Sequence, residues 1–365
     1  MAPVTGVVVL ITGTGRSGTS TMSGSLHHLG LHVPGPYLQA NASNPKGFFE
    51  STWAVKFHKK ITKAAGISDF DSRPPAFNLA QSAITPELRA TLVAFLQKRS
   101  LESDQIVVKD PRSVWAQALW RDAAAEAGLE ARFLTMLRHP AEVVGSRTTY
   151  YAVEREEPAR RRHFQTLNIA RWINHSLITE RETRGLPRVF VRYPDLLADW
   201  RPVLAHVAQD LGLSYDSELT PGVHHAVDDF IDPGLRRHAP SWDAIDIPAQ
   251  LQEVAQTLWD RLAELSVPTT VTSRTSDAAA LDALQERYDR LYSSAESLSH
   301  DSIAWAKLRA RAAGAIEAEE QIARRAEADA GRTVGQRKVA DVSSRELLRI
   351  VGRRTSGRLR ALRPR

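Results

Sequence analysis

Over the first two-thirds of the chain, short uninterrupted apolar runs alternate with longer stretches of helical period. GVVVLIT (Gly6 to Thr12), QIVVKD (Gln105 to Asp110), ARFLTMLR (Ala131 to Arg138) and PRVFVRY (Pro187 to Tyr193) have the length and β-branched content of strands buried on both faces. Each is followed by a stretch of helical character. Strand, helix, strand in this rhythm predicts an α/β fold, a parallel sheet flanked by helices on both faces. The first strand runs into a glycine-rich loop, and Thr19 to Leu29 reads as the helix beyond it. In TPELRATLVAFLQKR, Thr85 is placed to cap a helix, Pro86 to occupy its first turn and Glu87 to sit near its positive end. Pro34, Gly35, Pro36, Asn44, Pro45 and Gly47 punctuate a long loop between the first helix and the next.

Further along, the pattern changes. PAQLQEVAQTLWDRLAEL closes the expected first domain, residues 1–265. Residues 266–277 read as a linker. Residues 278–330 form a helical segment in which Leu281, Leu284, Tyr288, Leu291 and Leu298 recur at coiled-coil spacing, followed by an Ala/Glu/Arg helix from Ile303 to Ala330. This C-terminal helical extension suits either intramolecular packing or a homodimer. Residues 331–365 form a basic tail.

Composition adds three constraints. Of 365 residues, 42% are hydrophobic, enough for a sizeable core. No cysteine is present, so a disulfide frame and a thiolate metal site are both excluded. The apolar run near the N-terminus is only strand length, so neither a signal peptide nor a membrane span is expected, and the sequence reads as cytoplasmic. The net charge of +6 is concentrated in the tail: Arg332 to Arg365 holds eleven Lys/Arg against two acids. The remaining chain is therefore slightly acidic and not built to bind nucleic acid. Leu347, Leu348, Val351 and Leu362, among arginines, could lie on an anionic membrane surface, which would hold the protein against the inner face of the membrane.

The glycine loop ITGTGRSGTS matches more than one phosphate-binding pattern. Gly13, Gly15 and Gly18 spell the dinucleotide fingerprint, yet the first acid that could hold a ribose is Glu50, well beyond the expected distance. Gly13 and Gly18 also frame a Walker A loop, but Thr19 stands where that loop requires lysine. A P-loop kinase using ATP is thus the alternative reading. Hydroxyls, backbone N–H groups and a helix N-terminus converging on one point make an anion site under any of them. Arg138, at the end of its strand, and Ser146, two turns into the next helix, can face the same sheet edge as VVKDPRS.

Together these three motifs resemble sulfotransferases that use 3′-phosphoadenosine 5′-phosphosulfate (PAPS). In that family an R/K-S-G-T loop cradles the 5′-phosphosulfate, and an Arg with a Ser eight residues later binds the 3′-phosphate. Arg16-Ser17-Gly18-Thr19 and Arg138/Ser146 match both elements. VVKDPRS is similar to the K-D-P segment of tyrosylprotein-type members, and NPKGFFE and FIDPGLRRH are similar to bacterial members acting on carbohydrates, lipids and secondary metabolites. The resemblance spans about residues 5 to 265. It implies a sulfuryl transfer from PAPS to an acceptor hydroxyl, carbohydrate, lipid-linked or small metabolite, with PAP leaving and no metal. It further implies a donor site of Gly15, Arg16, Ser17, Gly18, Thr19, Ser20, Arg138 and Ser146.

One departure matters: where cytosolic small-molecule members carry a histidine base two places after the lysine, this chain has Pro111. The base must come from elsewhere. Glu50, which falls where Golgi-type members place theirs, is the first candidate and His58 the second. Arg16 and Lys109 are expected to stabilise charge, Lys109 on the leaving oxygen. Asp110 either orients Lys109 or caps the next helix. Tyr193, His27 and His28 read as packing groups, while Arg236 and Arg237 could close on the donor. The acceptor site is expected between residues 31–46 and Phe70 to Asn78.

Overall fold

The computed structural model describes residues 6–41, 44, 46–151, 157–232, 234, 241–266, 274–330, 342–349 and 351–352. In chain order the elements are β1 (Gly6–Thr12), α1 (Thr19–His28), α2 (Thr52–Ala65), α3 (Ala76–Ser82), α4 (Pro86–Ser100) and β2 (Gln105–Lys109). A 3-10 turn (Pro111–Trp115) leads into α5 (Gln117–Glu126), β3 (Leu129–Leu137), α6 (Pro140–Tyr151), α7 (Pro158–Glu182) and β4 (Arg188–Arg192). Then come α8 (Tyr193–Ala198), α9 (Trp200–Leu211), α10 (Ala226–Phe230), α11 (Ala249–Glu264), α12 (Arg274–Leu298) and α13 (His300–Ala330).

The four strands make one parallel sheet in the order β2-β1-β3-β4. Alternate residues of β1 serve the two faces. Val8 and Leu10 pack with Phe57, Leu92 and Trp120 on one side; Val7, Val9 and Ile11 pack with Met22, Leu26 and Leu204 on the other. Both faces are therefore dry, which is why the strand reads as an unbroken apolar run. Each such side chain contributes roughly 1.5–3 kcal/mol when fully buried.

Chain order leaves β1 outward to β2 and returns to β3 on its other side. The carboxyl ends of adjacent strands at such a reversal form a crevice with no crossover helix across it. Register brings four loops to that crevice: Ile11 lies opposite Lys109, Thr12 opposite Thr135, and Leu137 opposite Arg192. The hydroxyls of Thr12 and Thr135 meet at 2.8 Å and tie β1 to β3 just below it.

Two compact units divide the chain at Ser293, not at Leu265 as expected. The reason is α12. Leu281, Leu284 and Tyr288 are buried against α7 and α11, together with Trp172, Leu258 and Leu262. The buried Tyr288 hydroxyl donates to the backbone carbonyl oxygens of Ser72 (2.6 Å) and Ala170 (3.1 Å). The coiled-coil spacing from Leu281 to Leu291 is thus an intramolecular seam, whereas Leu298 is exposed. Only residues 266 and 274–277 of the expected linker are described, and 274–277 already belong to α12. In the second unit, α13 is exposed at every position from 301 to 325. Of the basic tail, 344–349 and 351–352 are helical, while Leu362 lies outside the described residues. Among the described residues no helix is long and apolar enough to cross a membrane.

Candidate active site

The glycine loop is shaped by what surrounds it. Gly13 has φ 121° and Gly18 has φ 88°, conformations that L side chains rarely adopt. A methyl group at Gly18 would lie 2.1 Å from the ring of Tyr193, and one at Gly13 would lie 2.6 Å from the carbonyl oxygen of Met136. Tyr193 therefore packs, as expected, and what it packs on is the loop. Gly18 is the N-cap of α1 and has no side chain with which to cap the N–H groups of the first turn, Thr19 to Thr21. Ser17 is turned inward: its hydroxyl meets that of Thr14 at 2.7 Å.

Arg16 adopts φ 75°, in the left-handed region where a non-glycine residue costs about 1–3 kcal/mol. Two neighbours hold it there. Arg138 donates from Nη1 to the Arg16 carbonyl oxygen (3.0 Å), and Arg16 donates from Nε to the Ser146 hydroxyl (3.1 Å). Arg138 is in turn braced by Glu142 at 2.9 Å, and its guanidinium lies 5.1 Å from the centre of the Tyr193 ring. The two residues that sequence spacing selects, Arg138 and Ser146, thus converge on the same arginine of the loop.

On the β2 side, Lys109 is buried and donates to Glu50 Oε1 (2.5 Å) and to the Ser20 hydroxyl (3.0 Å). Ser20 also accepts from Asn44 Nδ2 at 3.1 Å. Glu50 is buried, and its other oxygen lies 3.9 Å from Arg112. Its carboxylate is therefore directed at Lys109 and Arg112. Lys109, Glu50 and the first turn of α1 form one continuous polar chain.

His58 has a different part. The indole N–H of Trp120 donates to His58 Nε2 at 2.8 Å, and an indole can only donate. Nδ1 must then carry the hydrogen, which it gives to Asp110 Oδ2 at 2.8 Å. With both nitrogens engaged and the ring only 1% exposed, His58 has no lone pair to offer an acceptor. The second base candidate is corrected to a buried support. The Asp110 carboxylate accepts from the backbone N–H of Arg112 (3.0 Å), capping the 3-10 turn, and lies 3.3 Å from the Arg112 side chain. Burial alone would push its carboxyl up, but His58 and Arg112 outweigh that and hold it below the usual carboxylate range. Asp110 thus orients Arg112 and not Lys109.

Sequence reasoning passed over three residues here. Arg112 links Glu50, Asp69 and Asp110. Trp120 sets the His58 tautomer. Arg147 donates to Asn168 (2.8 Å) and towards the Gly15 carbonyl (3.4 Å), and lies 4.9 Å from the Phe70 ring centre. Only Arg112 and Arg147 left a trace, as cations adjoining motif residues. His27 and His28 sit among Tyr37, Phe49 and Phe230, in keeping with packing. Arg236 and Arg237 lie outside the described residues. A small open recess adjoins Ser20 and is lined by Thr21, Asn44, Lys46, Tyr193, Phe230 and Asp232. Among the described residues no group of three or more His, Asp or Glu could hold a metal ion.

Among curated proteins none matches. Two solved domains are similar at low identity. One is the sulfotransferase domain from the Synechococcus PCC 7002 olefin synthase, at 20% identity and TM-score 0.42, covering 72% of this chain and 96% of that one. The other is the sulfotransferase domain from the curacin biosynthetic pathway, at 19% identity and TM-score 0.38, covering 72% and 99%. The decisive match is a family model described as "Sulfotransferase family", over residues 9–217. Those residues are more than half of the chain and contain the glycine loop, Glu50, Lys109, Arg138 and Ser146. The chain belongs to the sulfotransferase family.

Proposed function

We propose that this transferase moves a sulfuryl group from PAPS to a hydroxyl of a carbohydrate, glycolipid or small metabolite. The observation that carries the reading is the polar chain Glu50–Lys109–Ser20, at 2.5 and 3.0 Å, ending on the first turn of the helix that follows the glycine loop. An anionic donor fits that loop. The first-turn N–H groups of α1 have no side-chain cap, Arg16 lies in the loop just before them, and Tyr193 and Phe230 line the recess beside Ser20.

In the reaction the acceptor oxygen bonds to sulfur as the bond from sulfur to the 5′-phosphate oxygen breaks. Glu50 takes the hydroxyl proton, and PAP departs. Lys109 stabilises the charge that develops on the leaving oxygen, and Arg16 cradles the phosphate. A transferring sulfuryl group bears less negative charge than a γ-phosphoryl group. Two fixed cations can therefore do what magnesium does beside a Walker lysine.

Thermal unfolding tests the donor. PAP at about 100 times its dissociation constant should stabilise the fold by roughly 2.7 kcal/mol, a shift of several degrees. ATP with magnesium, or NAD, should do much less. A shift with ATP–magnesium and none with PAP would favour a P-loop kinase instead. Turnover with PAPS should also survive EDTA; loss on chelation and recovery with magnesium would contradict the roles of Arg16 and Lys109.

A further inference from the structure

The helix α13 presents a face that nothing among the described residues covers. Trp305, Leu308, Ile316 and Ile322 are 63%, 55%, 59% and 67% exposed. At 100° per residue, Trp305, Leu308, Ala312, Ala315 and Ile322 fall on one side, with the alternating three- and four-residue spacing of a two-helix seam. Glu319 stands in the same stripe.

From Lys307 to Glu320, ahead of Arg324 and Arg325, charge is arranged in two blocks. Lys307, Arg309 and Arg311 precede its middle; Glu317, Glu319 and Glu320 follow it. Between them lies Ala312-Ala313-Gly314-Ala315, the longest unbroken run of small side chains on the helix, with open space around Gly314. A parallel pair would set basic block on basic block and Glu319 on Glu319. An antiparallel pair whose two-fold axis passes between Ala313 and Gly314 does the reverse. Trp305 then meets Ile322, Leu308 meets Glu319, and Ala312 meets Ala315. The basic block of each chain lies along the acidic block of the other, and Glu319 falls between the partner's Lys307, Arg309 and Arg311. One patch matching itself about a two-fold axis is the isologous arrangement of homodimers. The small central residues let the two backbones approach closely.

We infer that α13 is a dimerisation helix that takes a second copy of this chain in antiparallel register. Charge complementarity selects this occupant. An anionic membrane would be repelled by the acidic block, and a basic partner by the basic one.

The experiment uses the full chain, with mass measured by light scattering after gel filtration. Wild type should run as a dimer. Lys307→Glu/Arg309→Glu/Arg311→Glu and Glu317→Lys/Glu319→Lys/Glu320→Lys should each run as monomers, because like blocks then face each other. A chain carrying both sets should dimerise again, and the two single-set variants should pair when mixed. All six positions are exposed, so helix content by circular dichroism should not change. The chain has no cysteine, which makes orientation directly readable. Leu308→Cys and Glu319→Cys chains, mixed and oxidised, should cross-link to each other and neither to itself. The inference is overturned if wild type is a monomer, if either triple variant keeps the dimer mass, or if Leu308→Cys cross-links to itself. Co-sedimentation with phosphatidylserine vesicles that is lost on Trp305→Glu/Leu308→Glu would likewise overturn it, in favour of a membrane. None of these outcomes bears on the donor, which PAP-induced stabilisation tests separately.

Discussion

At Glu50 one carboxylate answers to two cations, Lys109 at 2.5 Å and Arg112 at 3.9 Å. Glu50→Gln should lower kcat by roughly 10²–10⁴, the usual range for a positioned acid–base group. PAP affinity, measured by calorimetry, should stay within a few-fold of wild type; unchanged turnover would remove Glu50 from the mechanism. Lys109→Met should also act on kcat, by about 10²–10³. Arg138 is less clean to test, because removing it also takes the guanidinium from the buried Glu142. Ser146→Ala isolates the loop contact. It deletes one hydrogen bond to Arg16, a loss of about 0.5–1.5 kcal/mol. PAP should bind several-fold more weakly, and adenosine 5′-phosphate, which lacks the 3′-phosphate, should be affected less. Equal loss for both nucleotides would place Ser146 on the loop alone and away from the 3′-phosphate.

Among the elements, α12 determines where the first unit stops. Tyr288 and Leu281 are each only 1% exposed, and Tyr288 spans from Ser72 to Ala170. A chain ending at Leu265 should therefore lose cooperative unfolding and expose the faces of α7 and α11. One ending at Leu298 should melt within a few degrees of the full chain; if the shorter one also does, α12 is dispensable to the core. Helix starts followed local rules more simply. Thr85 accepts from the Leu88 N–H at 3.3 Å with Pro86 in the first turn, and Thr85→Ala should cost about 1 kcal/mol.

For the whole molecule, acid sensitivity has a source at His175. Its ring stacks on Phe70 and meets Trp115 edge-on, and neither ring nitrogen has a hydrogen-bond partner among the described residues. Burial first, then the charge of Arg147, lowers its pKa to about 3. In the unfolded chain the ring takes a proton near pH 6.5. The unfolded state thus binds more protons between those limits, so stability falls as pH drops from 6.5 towards 3, at up to about 1.4 kcal/mol per unit. His175→Leu should flatten that limb of a denaturation-against-pH series while leaving stability at pH 8 little changed. An identical slope in the variant would show that other groups drive acid unfolding.

Apolar runs and turn residues were sufficient to read the parallel sheet and the helices on its two faces, because these follow from local period and backbone chemistry. Parallel strands bring their C-terminal ends together, so Lys109 and Arg138 could be assigned to one edge from their positions in the chain. What could not be read locally were contacts across long loops. His58 follows Glu50 by eight residues and looks as available as Glu50 does, until Trp120, 62 positions away, closes its free nitrogen. Arg112 gains meaning only from Glu50 and Asp69, and the spacing of Leu281 to Tyr288 is the same whether its partner is another chain or α7. A heptad states that a face must be covered; only tertiary packing decides by what. For α12 it is the chain's own core, since Leu281, Leu284 and Tyr288 bury against the apolar residues of α7 and α11.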